Sequence, residues 1–306
     1  MNALQFLAGR GRMREAGDTV NALMLPTVWA LLPALIVQTY WYGAAVLTTV
    51  LGVLLVCWVF ECLVASVQRR TISTVFRDGS TVVTAVLLGL AVTPKCEPGH
   101  VIVGALFAIV VAKHCYGGVG RNLFNPAMVG YAAMLVSFPA VMAVWPVPDM
   151  HSVDGVSSAT PLALARDVAR GGAFGLTTTA WVWINAAYLS GGLWLWWRGV
   201  IRAVVPLCVL AGVAIGVALF GTASIESLGH HLASGATFAC AFFIATDPVS
   251  CAREPGARWL YGILIGVLTV LIREHGGYPD GVAFAVLLAN AVAPLLDRAV
   301  SRWRYS

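Results

Sequence analysis

The residues best placed to do chemistry lie in one polar stretch, Asp149 to Leu176, set between long apolar runs. Within it stands Asp154-Gly155-Val156-Ser157-Ser158-Ala159-Thr160-Pro161-Leu162. Thr160 followed by Pro161 has the form of a helix start, with the threonine as N-cap and the proline at the first helical position. Leu162 to Val168 reads as the short helix behind it. The free N–H groups of such a start can seat a phosphate, and this hydroxyl-rich turn is where a group could be attached. By itself a Thr-Pro pair is ordinary capping chemistry, so its surroundings must decide.

Those surroundings are lipid-soluble. Of 306 residues 59% are hydrophobic and only 11% charged, against roughly 25% charged in a soluble domain. The chain therefore reads as an all-α polytopic membrane protein with one membrane domain, since no polar stretch is long enough to bury a core of its own. Apolar runs fall at about 23–40, 43–66, 80–94, 100–114, 126–147, 180–197, 201–220, 233–246, 258–272 and 282–296, which gives about ten transmembrane helices. Several are shorter than the roughly 20 residues that cross a bilayer comfortably, as tilted or broken helices are. With the N-terminus in the cytoplasm, only Lys95, Arg166, Arg170 and Arg273 of the 19 basic residues fall on the far side, the expected positive-inside bias. The net charge of +5 is thus anchoring at helix ends, and no nucleic-acid partner is expected. The division is 1–18 as a cytoplasmic N-terminal segment without a cleavage pattern, 19–297 as the membrane domain with its outward loop 149–178, and 298–306 as a cytoplasmic tail.

An internal echo accompanies this count. Asp78-Gly79-Ser80-Thr81 through Thr93-Pro94 resembles Ser234-Gly235-Ala236-Thr237 through Thr246-Asp247-Pro248, and Gly117-Gly118 with Asn122 echoes Gly276-Gly277 with Gly281. Two copies of five spans would form an inverted repeat, with chance similarity of small-residue faces as the competing explanation. The seven cysteines contain no CxxC pair, so neither a disulfide framework nor a cluster motif is encoded; most read as small buried hydrophobes.

Four segments in order carry a resemblance: Ala112 to Ala127 (with Lys113-His114-Cys115-Tyr116-Gly117-Gly118 and Asn125-Pro126), Asp154 to Leu162, Phe243 to Ser250 around Thr246-Asp247-Pro248, and Asn290 to Asp297. Together they resemble the RnfD component of the Rnf ion-translocating electron-transport complex, homologous to the NqrB component of the sodium-pumping NADH:quinone reductase, over roughly Ala16 to Asp297. The resemblance implies FMN held covalently by a phosphoester on a threonine of the outward loop, at the position of Thr160, with Ser157, Ser158 and Asp154 as its loop context. The family signature Ser/Thr-x-Ala-Thr often has glycine at x, where this chain has Ser158. The more literal Ser234-Gly235-Ala236-Thr237 string is the competitor, read as close packing at a helix start. The resemblance further implies a bacterial inner-membrane location with both termini cytoplasmic, the A, B, C, E and G components of an Rnf complex as partners, and electron relay coupled to movement of Na⁺ or H⁺. Riboflavin, found in the quinone-reducing relative, is a second cofactor that could carry over, with no residue here identifying its pocket.

Among ionisable groups, Asp247 breaks its helix and Asp297 ends the last span; both are candidates for an ion pathway, with structural capping as the alternative. Glu61 reads as an interfacial acid without a role, and His230-His231 as surface residues. The glycines of Gly117-Gly118-Val119-Gly120 either let backbone approach a ligand or make a tight turn. Trp181, Trp183 and Trp194 to Trp197 could pack on a flavin, though most read as interfacial anchors. A channel or small-solute transporter without a redox role is the competing function.

Overall fold

The computed structural model describes residues 16–70, 79–146, 157–159, 176–221, 225–278 and 280–305. The elements are α1 (Ala16–Tyr42), α2 (Ala45–Val67), α3 (Ser80–Ala91), α4 (Pro98–Ala105, running on as a π-helix over Leu106–His114), α5 (Pro126–Ser137), the short α6 (Pro139–Met142), β1 (Val144–Pro146), β2 (Ser157–Ala159), α7 (Leu176–Trp197), α8 (Val204–Phe220), α9 (Ile225–Ala233), α10 (Thr237–Ala239, running on as a π-helix over Cys240–Ile244), α11 (Pro255–His275) and α12 (Val282–Tyr305). Four of them, α1, α2, α11 and α12, are long and apolar enough to cross a membrane, and α3, α4, α5 and α8 are shorter apolar helices. With α7 and the broken α10, every apolar run of the sequence has its helix. The residues 298–305 continue α12.

Helix α2 shows why lipid is the solvent. One face buries Val46, Val50, Val53, Cys57, Glu61 and Ala65, while the opposite face exposes Leu47, Leu51, Leu55, Val59, Leu63 and Val67. A helix apolar on both faces belongs in a bilayer. Small residues bring the backbones together, as expected where lipid tails compete with side chains for packing. Helices α8 and α11 form the closest pair, through Gly212 and Gly216 on one and Gly262 and Gly266 on the other. A Cβ on Gly266 would collide with the Val209 carbonyl, and one on Gly212 with that of Ile263.

The two halves repeat one packing scheme. In the first, α4 packs on α2 and α5; in the second, α11 packs on α8 and α12; across the halves α1 meets α7 and α5 meets α12. Each half also contains a span too short to cross. Helix α3 has 12 residues, about 18 Å at 1.5 Å per residue, and α10 is shorter still. Each starts just after a left-handed glycine, Gly79 and Gly235, both at φ 65°. Each ends before a proline, Pro94 and Pro248, where the preceding residue is pushed out of helical geometry. These are the echoed segments of the sequence, now seen as paired broken helices.

Candidate functional site: two cavities at the ends of the broken helices

The broken helices leave two cavities that share Leu87 of α3 as a wall. The one at the Ser80 end has a volume of about 100 Å³ and presents polar groups: Ser80, Thr84, Lys113, Asn122, Asn125, Thr246 and Asp247. The one at the Ala91 end, about 60 Å³, is an aromatic box of Tyr131, Trp145, Trp181 and Tyr188 with Gln38 and Asp280 as its polar side chains.

Asp247 is built into the first cavity by the break in α10. Its Oδ1 accepts from Val249 N at 3.2 Å and its Oδ2 from Ser250 Oγ at 2.8 Å and Asn125 Nδ2 at 3.5 Å. Behind it, fully buried Asn290 of α12 accepts from Asn125 N at 3.1 Å and donates to Ser250 O and to Tyr261 Oη at 3.1 and 2.8 Å. Two interrupted backbones, 125–126 and 246–250, are thereby satisfied within the helical core, the condition for irregular backbone at membrane depth. Asp297 stands apart. Its Oδ1 accepts from Arg253 N at 3.0 Å and Glu254 N at 2.9 Å, holding the turn into α11, and it shares no described hydrogen bond with Asp247.

On the wall of the same cavity lies a charged group whose partners the sequence does not reveal. Glu61 is 4% exposed and accepts from Lys113, from Thr81 Oγ1 at 2.9 Å and, at its other oxygen, from His114 Nε2 at 2.8 Å. It is a buried ion-pair partner, not an idle interfacial acid. The reason is the register of α4: its π-helical last turns bring both Lys113 and His114 onto Glu61, and such insertions recur at functional sites.

At the opposite end, Arg273 of α11 plays the matching part. Its side chain is fully buried; Nε donates to Asp280 Oδ1 at 2.9 Å, and Nη1 donates to His231 O at 2.8 Å and Thr237 Oγ1 at 3.0 Å. Asp280 Oδ2 accepts from Ala236 N at 2.9 Å. Burial pushes the Asp280 carboxyl up, but the Arg273 guanidinium and these hydrogen bonds outweigh it and hold it below the usual carboxylate range. His231 is no surface residue: it is 3% exposed and bonds Glu274 Oε1 through Nε2 at 2.9 Å. Burial, with Arg273 adding repulsion, pushes its imidazole down to about 4.

Thr237, the rival attachment point, is 1% exposed, and its hydroxyl donates to His231 O at 2.7 Å while accepting from Arg273. That oxygen is committed and sealed from solvent. Thr160 and Asp154 lie outside the described residues. Ser157 and Ser158 belong to β2, whose backbone pairs antiparallel with β1 so that Ser158 faces Trp145 and Ala159 faces Val144. Val144 O is itself held by Thr93 Oγ1 at 2.7 Å, just beyond the end of α3. Trp145 packs edge-on to Tyr42 and Trp181, each at 5.5 Å between ring centroids. Trp183 and Trp197 instead face outward.

Paired broken helices around back-to-back cavities, inside a shell of lipid-facing helices, define a polytopic membrane protein with two internal cavities. The chain belongs to the NQR2, RnfD, RnfE family, whose sequence profile it matches over residues 13–306. It is 40% identical to the D component of the ion-translocating oxidoreductase complex of Aeromonas salmonicida (strain A449), covering 90% of this chain and 92% of the relative. Against the protein of that name from Vibrio cholerae serotype O1 it is 39% identical over 95% of this chain and 96% of the relative. Against that of Yersinia pseudotuberculosis serotype O:1b it is also 39% identical, over 91% and 92%.

Proposed function

We propose that this chain is the membrane-embedded component of an ion-translocating oxidoreductase complex and carries FMN on Thr160. The observation that supports this most is the aromatic cavity beside β1 and β2. The strand β2 ends at Ala159, one residue before Thr160, and its partner strand supplies Trp145 to the cavity wall. Trp145, Trp181, Tyr131 and Tyr188 suit a flat aromatic ring, with Gln38 and Asp280 as polar groups to orient it. The buried, doubly engaged hydroxyl of Thr237 argues against the rival site.

FMN bound there would supply one-electron carriage at that face of the membrane. The polar cavity at the other end of α3 has the hydroxyls, amides and single ammonium that would hold a second, noncovalent flavin such as riboflavin. Asp247 is the acid in that cavity, and we assign it to Na⁺ or H⁺ passage, whereas Asp297 caps the turn into α11. In this reading the N-terminus is cytoplasmic, the β1–β2 face is outward in a bacterial inner membrane, and the remaining Rnf components deliver and accept electrons. A second reading, a solute channel, is favoured by the back-to-back placement of the cavities around Leu87.

Peptide mass spectrometry of the 149–178 loop, with in-gel flavin fluorescence, tests the assignment on the native complex. Wild type and Thr237→Ala should carry one FMN on that peptide, and Thr160→Ala none. Modification surviving in Thr160→Ala overturns the site. An unmodified loop in the native complex favours the channel.

A further inference from the structure

The group formed by Glu61, Lys113 and His114 has a protonatable atom left over. The Lys113 ammonium gives its three protons to Glu61, to Ser80 Oγ at 2.8 Å and to Thr81 Oγ1 at 3.1 Å. His114 Nε2 faces Glu61 Oε2 at 2.8 Å. A carboxylate can only accept, so Nε2 carries the hydrogen and Nδ1 keeps its lone pair. The imidazole side chain is 5% exposed, and Nδ1 has no hydrogen-bond partner among the described residues. It lies under the turn Gly117 to Gly120. Gly118, at φ 92°, leaves open the place where a Cβ would stand 4.0 Å from Nδ1, and Gly117 above it is exposed. One layer of glycine backbone, buried at Gly118 and exposed at Gly117, therefore covers the Nδ1 atom.

Charge decides what this atom can do. Glu61 and Lys113 cancel, so a proton on Nδ1 would make the group a net cation inside the helical core. Negative charge arriving next door would balance it, and Lys113 lines the polar cavity. Of the described groups near the triad, α2 contributes Cys57 beside Glu61, α3 the hydroxyls of Ser80 and Thr81, the turn one further cation, Arg121 beside Gly117, and the far cavity wall the acid Asp247.

We propose that His114 is a proton-loading site of the polar cavity, with Glu61 as its positioning residue. When an electron enters a redox group in that cavity, one N–H bond forms at His114 Nδ1 as one O–H bond of a hydronium ion at the glycine turn breaks and releases water. The electron stays on the cavity group, so the added positive and negative charges balance. The inference rests on the reading that a redox-active ring occupies this cavity.

The test uses the whole complex with ¹⁵N-labelled histidine and a His114→Gln variant. Glutamine keeps an N–H donor for Glu61 but has no second nitrogen to protonate. Reduction in weak buffer with a pH-indicating dye should take up about one proton fewer per chain in the variant than in wild type. The His114 Nδ1 signal of wild type should move to its protonated position on reduction. Equal uptake in both proteins overturns the proposal, because a purely structural histidine would lower stability without changing proton count. If flavin analysis finds no ring in the cavity, the functional reading fails separately. Equal uptake with flavin shown in the cavity thus overturns the His114 assignment alone, whereas absence of flavin overturns the functional reading on which it rests.

Discussion

Replacing Asp280 with alanine would strand a guanidinium in the helical core. Arg273 has no exposed side-chain area, and the His231 carbonyl and Thr237 hydroxyl that it also bonds are neutral acceptors that cannot replace the Asp280 charge. Breaking a buried ion pair from one side costs about 3–5 kcal/mol. The amides of Ala236 and Val282, which donate to Asp280 at 2.9 and 3.3 Å, also lose their acceptor, at about 1 kcal/mol each. Taking the ion-pair loss alone at roughly 2–4 °C per kcal/mol, the thermal midpoint of the detergent-solubilised protein should fall by about 6–20 °C. Asp280→Asn keeps the acceptor oxygen and should lose about half as much. The double variant Arg273→Met with Asp280→Leu removes both charges and should return to within about 2 kcal/mol of wild type, since a well-packed apolar pair often replaces a buried ion pair without loss. A drop below about 2 °C in Asp280→Ala, or a double variant no better than the single, would refute the stranded-charge argument.

Two further outcomes follow from the same geometry. His231 is held near 4 against an unfolded value of about 6.5, so between these values the unfolded chain binds more protons and stability falls as the pH is lowered; the protection of α9 amides relative to their intrinsic exchange rate should fall between pH 7 and pH 5, and His231→Gln should remove that fall. Asp297→Ala frees the amides of Arg253 and Glu254 and should cost about 1–2 kcal/mol of stability while leaving the cation dependence of turnover unchanged, whereas Asp247→Asn should alter that dependence; a changed cation response in Asp297→Ala would return that residue to the ion path.

What is legible in the sequence is whatever repeats along the chain. Gly79 and Gly235 before a helix, and Pro94 and Pro248 after one, are local signals, and they mark the two broken spans correctly. Asp247 stands out because Thr246-Asp247-Pro248 is itself a helix break. The ion pairs are hidden because their partners are joined only by packing. Glu61 lies 52 residues from Lys113, so one reads as an idle acid and the other as an anchoring cation. His231 reads as surface because nothing in its neighbours in sequence reveals that α9 folds back over Arg273. A usable signal does exist: Lys113 and Arg273 each precede a Gly-Gly pair at the end of the fourth span of their half. Two cations at matching positions of a repeat within otherwise apolar helices need counter-ions, and Glu61 and Asp280 are those counter-ions.

The placement of those cations has its own electrostatic logic. Lys113 bonds the hydroxyls that open α3, and Arg273 the hydroxyl that opens α10. A helix start carries about half a positive charge, so a bare ammonium or guanidinium there would be repelled as well as desolvated. The carboxylate beside each cation removes both penalties and fixes the start of a helix that is too short to be held by lipid alone. It also leaves each cavity bordered by a locally balanced pair. In such surroundings a single added charge, whether electron or cation, is felt more strongly than it would be in water. A charge placed in either cavity would therefore favour arrival of an opposite one, which is what the proposed coupling of electron transfer to ion movement requires.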